Sequence, residues 1–364
     1  MNRRNLILGG SAVALAAAGA YAVMRGPSYP DAAAGVWSRK SRQADDGLNY
    51  LVHNATLAAN SHNTQPWLFS GTASQVSIRP DTSRATPVAD PDNHHLFASL
   101  GAAAENLVLA AAADGRSAEV GFDPGAGGQI RIDLTETGGS RRDPLFEAIT
   151  ERQCTRSMYS RRDVPSAELA MLEAAARVEG CEVLLITRRP QIDAILELIT
   201  SANAAQIADP HFVSELKSWL RFNAAHAIRT GDGLYSGCSG NPTLPSWLGS
   251  IAFGMAFTAK AENDKIIKQV GSSAGLAVIV SGGDDPAHWV RAGRSYQRFA
   301  LAATSLGIRH AFLNQPLEVT AFRPELAALL GIGQKRPDLL VRFGYAEPMP
   351  RSLRRPVSDV IVNA

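Results

Sequence analysis

Residues 58–69 read Ala58-Ala59-Asn60-Ser61-His62-Asn63-Thr64-Gln65-Pro66-Trp67-Leu68-Phe69. They follow a helical run over residues 47–59 and end in an apolar run that predicts a strand. Pro66 lacks a donor N–H and disfavours helical backbone in the residue before it, so it predicts the end of the helix. The loop between the two elements carries five neutral hydrogen-bonding side chains, which suit a large uncharged polar ligand. The alternative is an ordinary helix-to-strand loop, because loops favour Asn and Ser.

The overall composition excludes several classes of function. The chain has 364 residues, 45% of them hydrophobic, which is enough for one large domain or two ordinary ones. Its 36 basic and 34 acidic residues give a net charge of +2, so nucleic acid is not an expected partner. The three cysteines, Cys154, Cys181 and Cys238, form no Cys-x-x-Cys motif. We therefore expect neither a disulfide framework nor a structural metal.

The N-terminus, residues 1–26, is typical of a targeting segment. Arg3-Arg4 precede a run rich in Ala and Gly, no acidic residue occurs before Asp31, and Ala20-Tyr21-Ala22 offers a cleavage site between small residues. The paired arginines resemble a twin-arginine export signal, which implies an exported, periplasmic protein that uses the export machinery. The alternative is a membrane anchor, since residues 6–24 are 19 residues long and near the spanning minimum.

The second half of the sequence repeats the pattern of the first. Long Ala-rich helices are predicted over residues 96–114 and 287–306, and they align without a gap at an offset of 192 that places Gly101 on Gly293 and Gly115 on Gly307. Short strands flank each helix. A further helix is predicted over residues 210–227, and the continuous apolar run at residues 276–281 predicts a strand covered on both faces. The pattern predicts an α+β fold in which two tandem halves, residues 27–143 and 144–364, form an intrachain pseudo-dimer. Chance similarity between two Ala-rich helices is the alternative.

The segment Ser61-His62-Asn63-Thr64-Gln65-Pro66-Trp67 resembles the Ser-x-Asn-x-Gln-Pro-Trp loop of the nitroreductase superfamily of FMN proteins. The most similar branch is that of the Acg-like flavin proteins, in which two nitroreductase-type halves share one chain. The resemblance extends over residues 47–360. It implies an FMN cofactor contacted by Asn60, Ser61, Asn63 and Gln65.

The segment Arg152-Gln153-Cys154-Thr155-Arg156 resembles the Arg-x-Ser-x-Arg/Lys phosphate motif of the same family. Guanidinium groups bind phosphate bidentately, although the spacing alone also fits a solvated surface loop. The resemblance implies that Arg152 contacts the phosphate and that Arg156 lies beside the flavin ring. Cys154 replaces the usual Ser, which removes one good hydrogen bond.

Two later segments complete the resemblance. Gly344-Tyr345-Ala346 is followed by basic residues as in the Gly-Tyr-Pro segment of the family, which implies that Arg354 or Arg355 completes a phosphate clamp; a solvated basic tail is the alternative. The region of Asn314 and Gln315 corresponds to backbone that lies near the redox edge of the flavin. Because each motif occurs intact once, we expect one FMN per chain.

The leading hypothesis is therefore an exported FMN-dependent oxidoreductase of nitroreductase type, which transfers hydride through flavin N5 to a small-molecule electron acceptor. The electron donor is not identified, no catalytic side chain is required, and a monomer is compatible with the duplication. An FMN-binding or storage protein without turnover is the alternative. Residues 229–250, rich in Gly, Pro and Ser, are expected to form a lid over the flavin or a loop packed far from it. The expected apolar anchors of this segment are Leu234, Tyr235, Leu244, Trp247 and Leu248.

Two other signals are not assigned to the site. Gly271-Ser272-Ser273-Ala274-Gly275 matches the Gly-x-Ser-x-Gly pattern of serine hydrolases. A nucleophile elbow needs a preceding strand and a following helix, whereas the sequence predicts the reverse. His62, His94 and His95 have no partner at metal-ligand spacing, so we expect them to be polar residues without a metal.

Overall fold

The computed structural model describes residues 28–41, 47–72 and 74–363. The predicted export signal or anchor, residues 1–26, lies outside these ranges. The fold is mixed α+β, with two four-stranded antiparallel sheets and one short parallel pair of strands.

The first sheet is built from the N-terminal part of the chain, and its strands lie in the order β1-β2-β4-β3. The elements up to this point are, in chain order, α1 (Tyr29–Trp37), α2 (Gly47–Thr56), β1 (Trp67–Gly71), β2 (Gln75–Pro80), α3 (His94–Ala113), β3 (Arg116–Asp123) and β4 (Gln129–Glu136). Inward-facing side chains alternate along β2 and β4, as expected for a sheet with one buried face.

The second sheet has strands in the order β5-β8-β10-β9, which is the same first-second-fourth-third order as in the first sheet. The elements that continue the chain are α4 (Pro144–Ala148), α5 (Ser166–Ala175), β5 (Cys181–Ile186), α6 (Arg189–Ala208), α7 (Pro210–Ser218), β6 (Leu220–Arg221), α8 (Ala224–Thr230), β7 (Leu234–Tyr235), α9 (Ser246–Ala256), α10 (Ala259–Gly271), β8 (Gly275–Ser281), α11 (Pro286–Ser305), β9 (Arg309–Phe312), α12 (Gln315–Glu318), α13 (Arg323–Leu330) and β10 (Arg336–Gly344). In both sheets one long helix, α3 or α11, connects the second strand to the third. Strand β8 is buried at every position because helices cover both of its faces.

Helices α3 and α11 cross at the centre of the main hydrophobic core. Gly101 lies against the carbonyl of Val290, and Gly293 lies against the carbonyl of Ala98. The two contacts are equivalent, because a shift of 192 positions converts Gly101 into Gly293 and Ala98 into Val290. Two hydrogen bonds are related by the same shift of 192 positions: Arg298 Nη1 donates to Glu105 Oε1, and Gln297 Nε2 donates to Asn106 Oδ1, both at 2.7 Å. Although α3 is long and apolar enough to cross a membrane, most of it is buried in this core.

Three local predictions differ from the structure. Helix α2 ends at Thr56 rather than at residue 59, because the guanidinium of Arg354 binds the carbonyls of Thr56 and Ala58 and takes the place of further helical hydrogen bonds. The single helix expected over residues 210–227 is broken into α7 and α8, since Asn223 caps a new helix start by accepting from His226 N. Residues 246–250, expected to be loop, are the first turns of α9.

The C-terminal segment contacts early elements of the described chain. Val360 O accepts from Phe69 N at 2.7 Å, and Val362 N donates to Phe69 O at 2.8 Å, so the C-terminal segment lies along β1 of the first sheet. Trp37 Nε1 in α1 donates to Ser352 O at 2.9 Å. Residues that come after the second sheet in sequence therefore lie, through this C-terminal segment, next to the loop between α2 and β1.

Candidate functional site

The loop between α2 and β1 is held in an unusual backbone conformation. His62, Asn63 and Gln65 all have φ near +50° (48°, 55° and 54°), a region that residues other than glycine rarely adopt. The loop is fixed in place by hydrogen bonds, because Asn60 Oδ1 accepts from Gln65 N at 2.9 Å and Ser99 Oγ accepts from Ser61 N at 3.3 Å. Backbone strain that the surrounding structure holds so firmly is typical of binding sites.

Beside this loop lies a cavity of about 70 Å³ with four arginines in its wall, here called the arginine cavity. These arginines are Arg152, Arg156, Arg351 and Arg354. Its described lining contains no Asp or Glu, so the positive charge is offset only in part, by the pairing of Arg351 with Glu151 outside the wall (2.6 Å). The cavity is therefore suited to an anion such as phosphate.

The four arginines differ in how many donors they leave free. The Arg354 guanidinium donates to Thr56 O at 2.7 Å, to Asn63 Oδ1 at 2.9 Å and to several other carbonyls; burial and the neighbouring Arg152 lower its pKa to about 9. Arg152 Nη2 donates to Leu57 O at 3.0 Å, whereas its buried Nε has no hydrogen-bond partner in the part of the chain that the structure describes. Among the described residues, the Arg156 side chain makes no hydrogen bond or ion pair.

A larger cavity of about 250 Å³, here called the central cavity, adjoins the arginine cavity. The two share five lining residues: Ala59, Asn60, Arg156, Leu234 and Phe312. The wall of the central cavity combines small residues of α3 with aromatic rings and amide side chains. One of these amides is Gln315, whose buried Oε1 has no hydrogen-bond partner among the described residues. The pair of cavities thus offers an anion-binding end and a wider end with hydrogen-bonding groups.

Four ionisable groups in the described lining of the central cavity have shifted pKa values, and His62 and Glu318 are two of them. Burial and the nearby Arg156 lower the pKa of His62 to about 4, so this ring is neutral near pH 7. Burial, with Asp90 and Glu215 nearby, raises the pKa of Glu318 to about 7, even though Gln206 Nε2 donates to Glu318 Oε2 at 2.7 Å. The cavity wall therefore contains one carboxyl group that changes protonation near neutral pH.

Most of the residues predicted from the sequence lie around these cavities. The residues that line one or both are Asn60, Ser61, Asn63, Arg152, Cys154, Arg156, Asn314, Gln315 and Arg354. Gln65 and Arg355 line neither. The Gln65 side chain is fully buried; it donates to Gly231 O and accepts from Arg355 N. The Arg355 guanidinium pairs with the Asp81 carboxylate and donates to the backbone carbonyl of Asp359. Both therefore support the loop from behind, and Arg354 rather than Arg355 reaches the arginine cavity.

Several lining residues were not anticipated from the sequence. They are Asn203 and Gln206 of α6, Phe212 and Leu216 of α7, Phe257, Glu262, Tyr296, Phe312 and Glu318. Most come from helices inserted between β5 and β8, which have no counterpart in the first half. Tyr296 had a detectable signal, because it lies on the repeat helix α11 beside the Gly293 alignment position.

The 229–250 segment contacts both cavities. Leu234 lines both, while Gly233, Tyr235 and Cys238 line the arginine cavity. Hydrogen bonds attach the segment to the polar loop: Asn63 Nδ2 donates to Gly233 O at 3.1 Å, and Gln65 Nε2 to Gly231 O at 2.9 Å. The alternative of a loop far from the candidate site is therefore wrong. Trp247 and Leu248, expected as apolar anchors of the segment, are instead exposed.

The two unassigned signals are explained by their packing. Helix α10 precedes and β8 follows residues 271–275, the reverse of a nucleophile elbow, and Ser273 Oγ donates to Gln269 O. His94 and His95 do have a partner, Asp90, with potential ligand atoms all within 4.8 Å. The Asp90 carboxylate accepts from His95 N and Leu96 N at 2.9 Å, so it caps the start of α3.

Known proteins resemble the chain over most of its length, although no protein-family model matches it. It is 26% identical over 324 residues to "Putative NAD(P)H nitroreductase Rv3131" of Mycobacterium tuberculosis strain H37Rv, covering 84% of this chain and 88% of that protein. It is 25% identical over 332 residues to "Putative NAD(P)H nitroreductase acg" of the same strain, covering 86% and 95%.

Among solved structures, similarity is found to the FMN-dependent nitroreductase NfnB from Mycobacterium smegmatis in complex with NADPH (16% identity, 56% of this chain, 88% of that chain, TM-score 0.37). A nitroreductase with bound FMN from Desulfitobacterium hafniense is a further example (15% identity, 61% and 98% coverage, TM-score 0.38). The relatives in sequence support assignment of the chain to the nitroreductase superfamily, the family that its Ser61–Trp67 loop resembles.

Proposed function

We propose that this protein is an FMN-dependent oxidoreductase of nitroreductase type that reduces a small-molecule acceptor. When bound, FMN supplies two-electron hydride chemistry at its N5 atom. The relatives named as NAD(P)H nitroreductases support this activity. No acid or base of the protein is required to activate the flavin, so the role of the chain is to bind, orient and shield it.

The observation that carries the proposal is the arginine cavity joined to an amide-lined cavity. Among the described residues, the Arg156 guanidinium and Arg152 Nε have no hydrogen-bond partner, and the described wall contains no carboxylate, which fits the phosphate of FMN. Asn60 and Ser61 line the adjoining central cavity, where polar groups can bind a flavin ring. Cys154 lies in the arginine cavity, where its thiol offers the phosphate only a weak hydrogen bond.

We infer further that the chain is a tandem pseudo-dimer that binds one FMN. The equal strand order in the two sheets supports the duplication, as do the α3–α11 contacts that exchange under a shift of 192 residues. In an isologous interface each contact occurs twice with the partners exchanged, which is the pattern seen here. One FMN follows because the polar loop of residues 60–65 and the arginines at 152 and 156 each occur once.

A flavin-binding or storage protein without turnover is the second candidate. The observation that favours it is the 229–250 segment, which lines both cavities and is hydrogen-bonded to the polar loop. A segment in this position excludes water and bulky acceptors. Export, inferred from Arg3-Arg4 and the following apolar run, points the same way, since NAD(P)H is scarce outside the cytoplasm.

The test begins with the absorption spectrum and flavin content of the purified protein. We expect a yellow protein with about one FMN per chain and weaker binding of riboflavin than of FMN. A colourless protein that takes up no FMN refutes the proposal, and equal affinity for riboflavin and FMN refutes the arginine cavity as the phosphate site. Aerobic titration with NAD(P)H then separates the candidates: bleaching with turnover supports the enzyme, and no reaction supports storage.

A further inference from the structure

Helix α9 presents an apolar surface to solvent. Its eleven residues, Ser-Trp-Leu-Gly-Ser-Ile-Ala-Phe-Gly-Met-Ala, include no charged side chain. Trp247, Leu248, Ile251 and Met255 are 68%, 36%, 50% and 72% exposed. Because residues at i, i+4 and i+8 lie on one side of a helix, these side chains form a single patch. The other exposed large apolar residues lie singly on different elements, which is ordinary for a protein surface.

The opposite side of α9 is attached to the protein. A Cβ on the buried Gly249 would lie 2.5 Å from the ring of Phe222, so helix and ring are in close contact. Ser246 Oγ accepts from Asn223 Nδ2 at 2.9 Å, and the ring of Phe253 lies 6.5 Å, centroid to centroid, from the ring of Phe222. The apolar patch is therefore held outward on a fixed helix and is not a loop that could fold its side chains inward.

We propose that α9 docks the protein onto the surface of a phospholipid bilayer, with Trp247, Leu248, Ile251 and Met255 inserted among the lipids. A helix that places Trp and aliphatic side chains on one side is suited to the boundary between headgroups and acyl chains. The inference does not depend on the flavin.

The sequence before Ser28 favours a membrane, rather than another protein, as the partner of the apolar patch on α9. Residues 6–24 are an apolar run near the length that spans a bilayer. The first described helix after them, α1, contacts the segment that leads into α9: the rings of Tyr29 and Tyr235 are 4.2 Å apart, and Tyr29 Oη lies 3.3 Å from Cys238 Sγ. Cys238 is only eight residues before Ser246, so at most about 28 Å of chain separates this contact from α9.

A second copy of the chain is a poorer occupant. An eleven-residue helix is about 16 Å long and about 10 Å across, which is far less than the roughly 800 Å² per partner of a stable protein interface. Insertion into a bilayer has no such requirement, since lipids surround each side chain individually.

The test uses the full-length protein and vesicles of phosphatidylethanolamine and phosphatidylglycerol whose acyl chains carry bromine, which quenches nearby tryptophan. We expect quenching of wild-type emission that is lost in Trp247→Phe, because the other four tryptophans are not on α9. The double substitution Ile251→Asp with Met255→Asp should abolish this quenching even where the N-terminal run still holds the protein on vesicles. Met171→Asp with Leu329→Asp adds the same charge to exposed apolar residues elsewhere and should leave it unchanged.

Three results overturn the proposal. The first is vesicle-bound protein whose Trp247 emission is not quenched. The second is a lipid-free dimer, seen by sedimentation, that the Ile251→Asp/Met255→Asp variant dissociates, which assigns the patch to a second copy. The third is Trp247 emission that acrylamide cannot quench in lipid-free protein, which means that other residues of the same chain cover the helix.

Discussion

Alanine substitutions at the crossing of α3 and α11 test the packing that joins the two sheets. A Cβ on Gly101 would lie 2.0 Å from Val290 O, and a Cβ on Gly293 would lie 1.9 Å from Ala98 O. In both cases the obstacle is backbone, which no side-chain rotation can remove.

The size of the effect follows from these distances. An ordinary contact begins at 3.4 Å, so the two helices must separate by about 1.4 Å to admit one methyl group. Gaps of 0.5–1 Å already remove a quarter to a half of the dispersion energy of the atoms involved, and overpacked cores typically lose about 1–3 kcal/mol. We take the upper end, about 3 kcal/mol, because the obstacle at both sites is backbone that cannot rotate away. The better helix propensity of Ala returns about 1 kcal/mol, so we expect each variant to lose about 2 kcal/mol or more of unfolding free energy.

Urea unfolding followed by circular dichroism measures this loss, with Gly35→Ala and Gly254→Ala as controls. Both control glycines are helical and would place a Cβ in open space, so these variants should be as stable as wild type or more stable. The double variant Gly101→Ala with Gly293→Ala should cost less than the sum of the single variants, because one separation relieves both contacts. If either single variant is as stable as Gly35→Ala, the close crossing does not exist in solution.

Three further predictions concern the cavities. Arg156→Ala should weaken FMN binding by about 1.5–3 kcal/mol, the scale of a charge-assisted hydrogen bond, while Arg355→Ala should leave the affinity measured by fluorescence titration unchanged. Leu234→Ala should speed reduction of the flavin by dithionite in stopped-flow measurements, whereas Leu244→Ala, in the same segment but lining neither cavity, should not; equal rates would exclude a lid. Because the folded pKa of Glu318 is raised to about 7 from 4.5, the stability that protonation provides is present below pH 4.5 and is lost as pH rises to about 7. Glu318→Gln should remove this loss, on the order of 3 kcal/mol, and parallel pH–stability curves for variant and wild type would contradict the shift.

The sequence was most informative where one local rule determines the structure. The Ala-rich run after His94 formed α3, and the continuous apolar run at residues 276–281 formed the fully buried β8. The alignment of Gly101 with Gly293 indicated a special position, since glycine is unfavourable inside a helix unless something approaches its backbone. The structure supplies that reason, which is the carbonyl of the other helix.

The sequence was least informative where the structure depends on contacts between distant residues. No local pattern indicates that Arg354 binds carbonyls at the end of α2, almost 300 positions earlier, or that Gln65 supports Arg355. Glu318 and Gln206 pair across 112 positions, so neither could be linked to the cavity from sequence spacing. Trp247 was misinterpreted because an apolar side chain in a Gly-rich segment is usually buried, whereas here it lies on the outer side of α9.

Arg354 and Arg156 show why residues of one type in one cavity have different roles. Arg354 uses its donors on the carbonyls of residues 56–58, on Ser352 and Leu353, and on Asn63 Oδ1, so it has little capacity left for a ligand. Its contribution to an anion is therefore the field of its charge, together with the shape of the loop that it holds. Arg156 makes none of these contacts and lines both cavities, which leaves its guanidinium available to a ligand where the two cavities adjoin. The arginine cavity thus combines one arginine that builds the site with another that is available to bind in it.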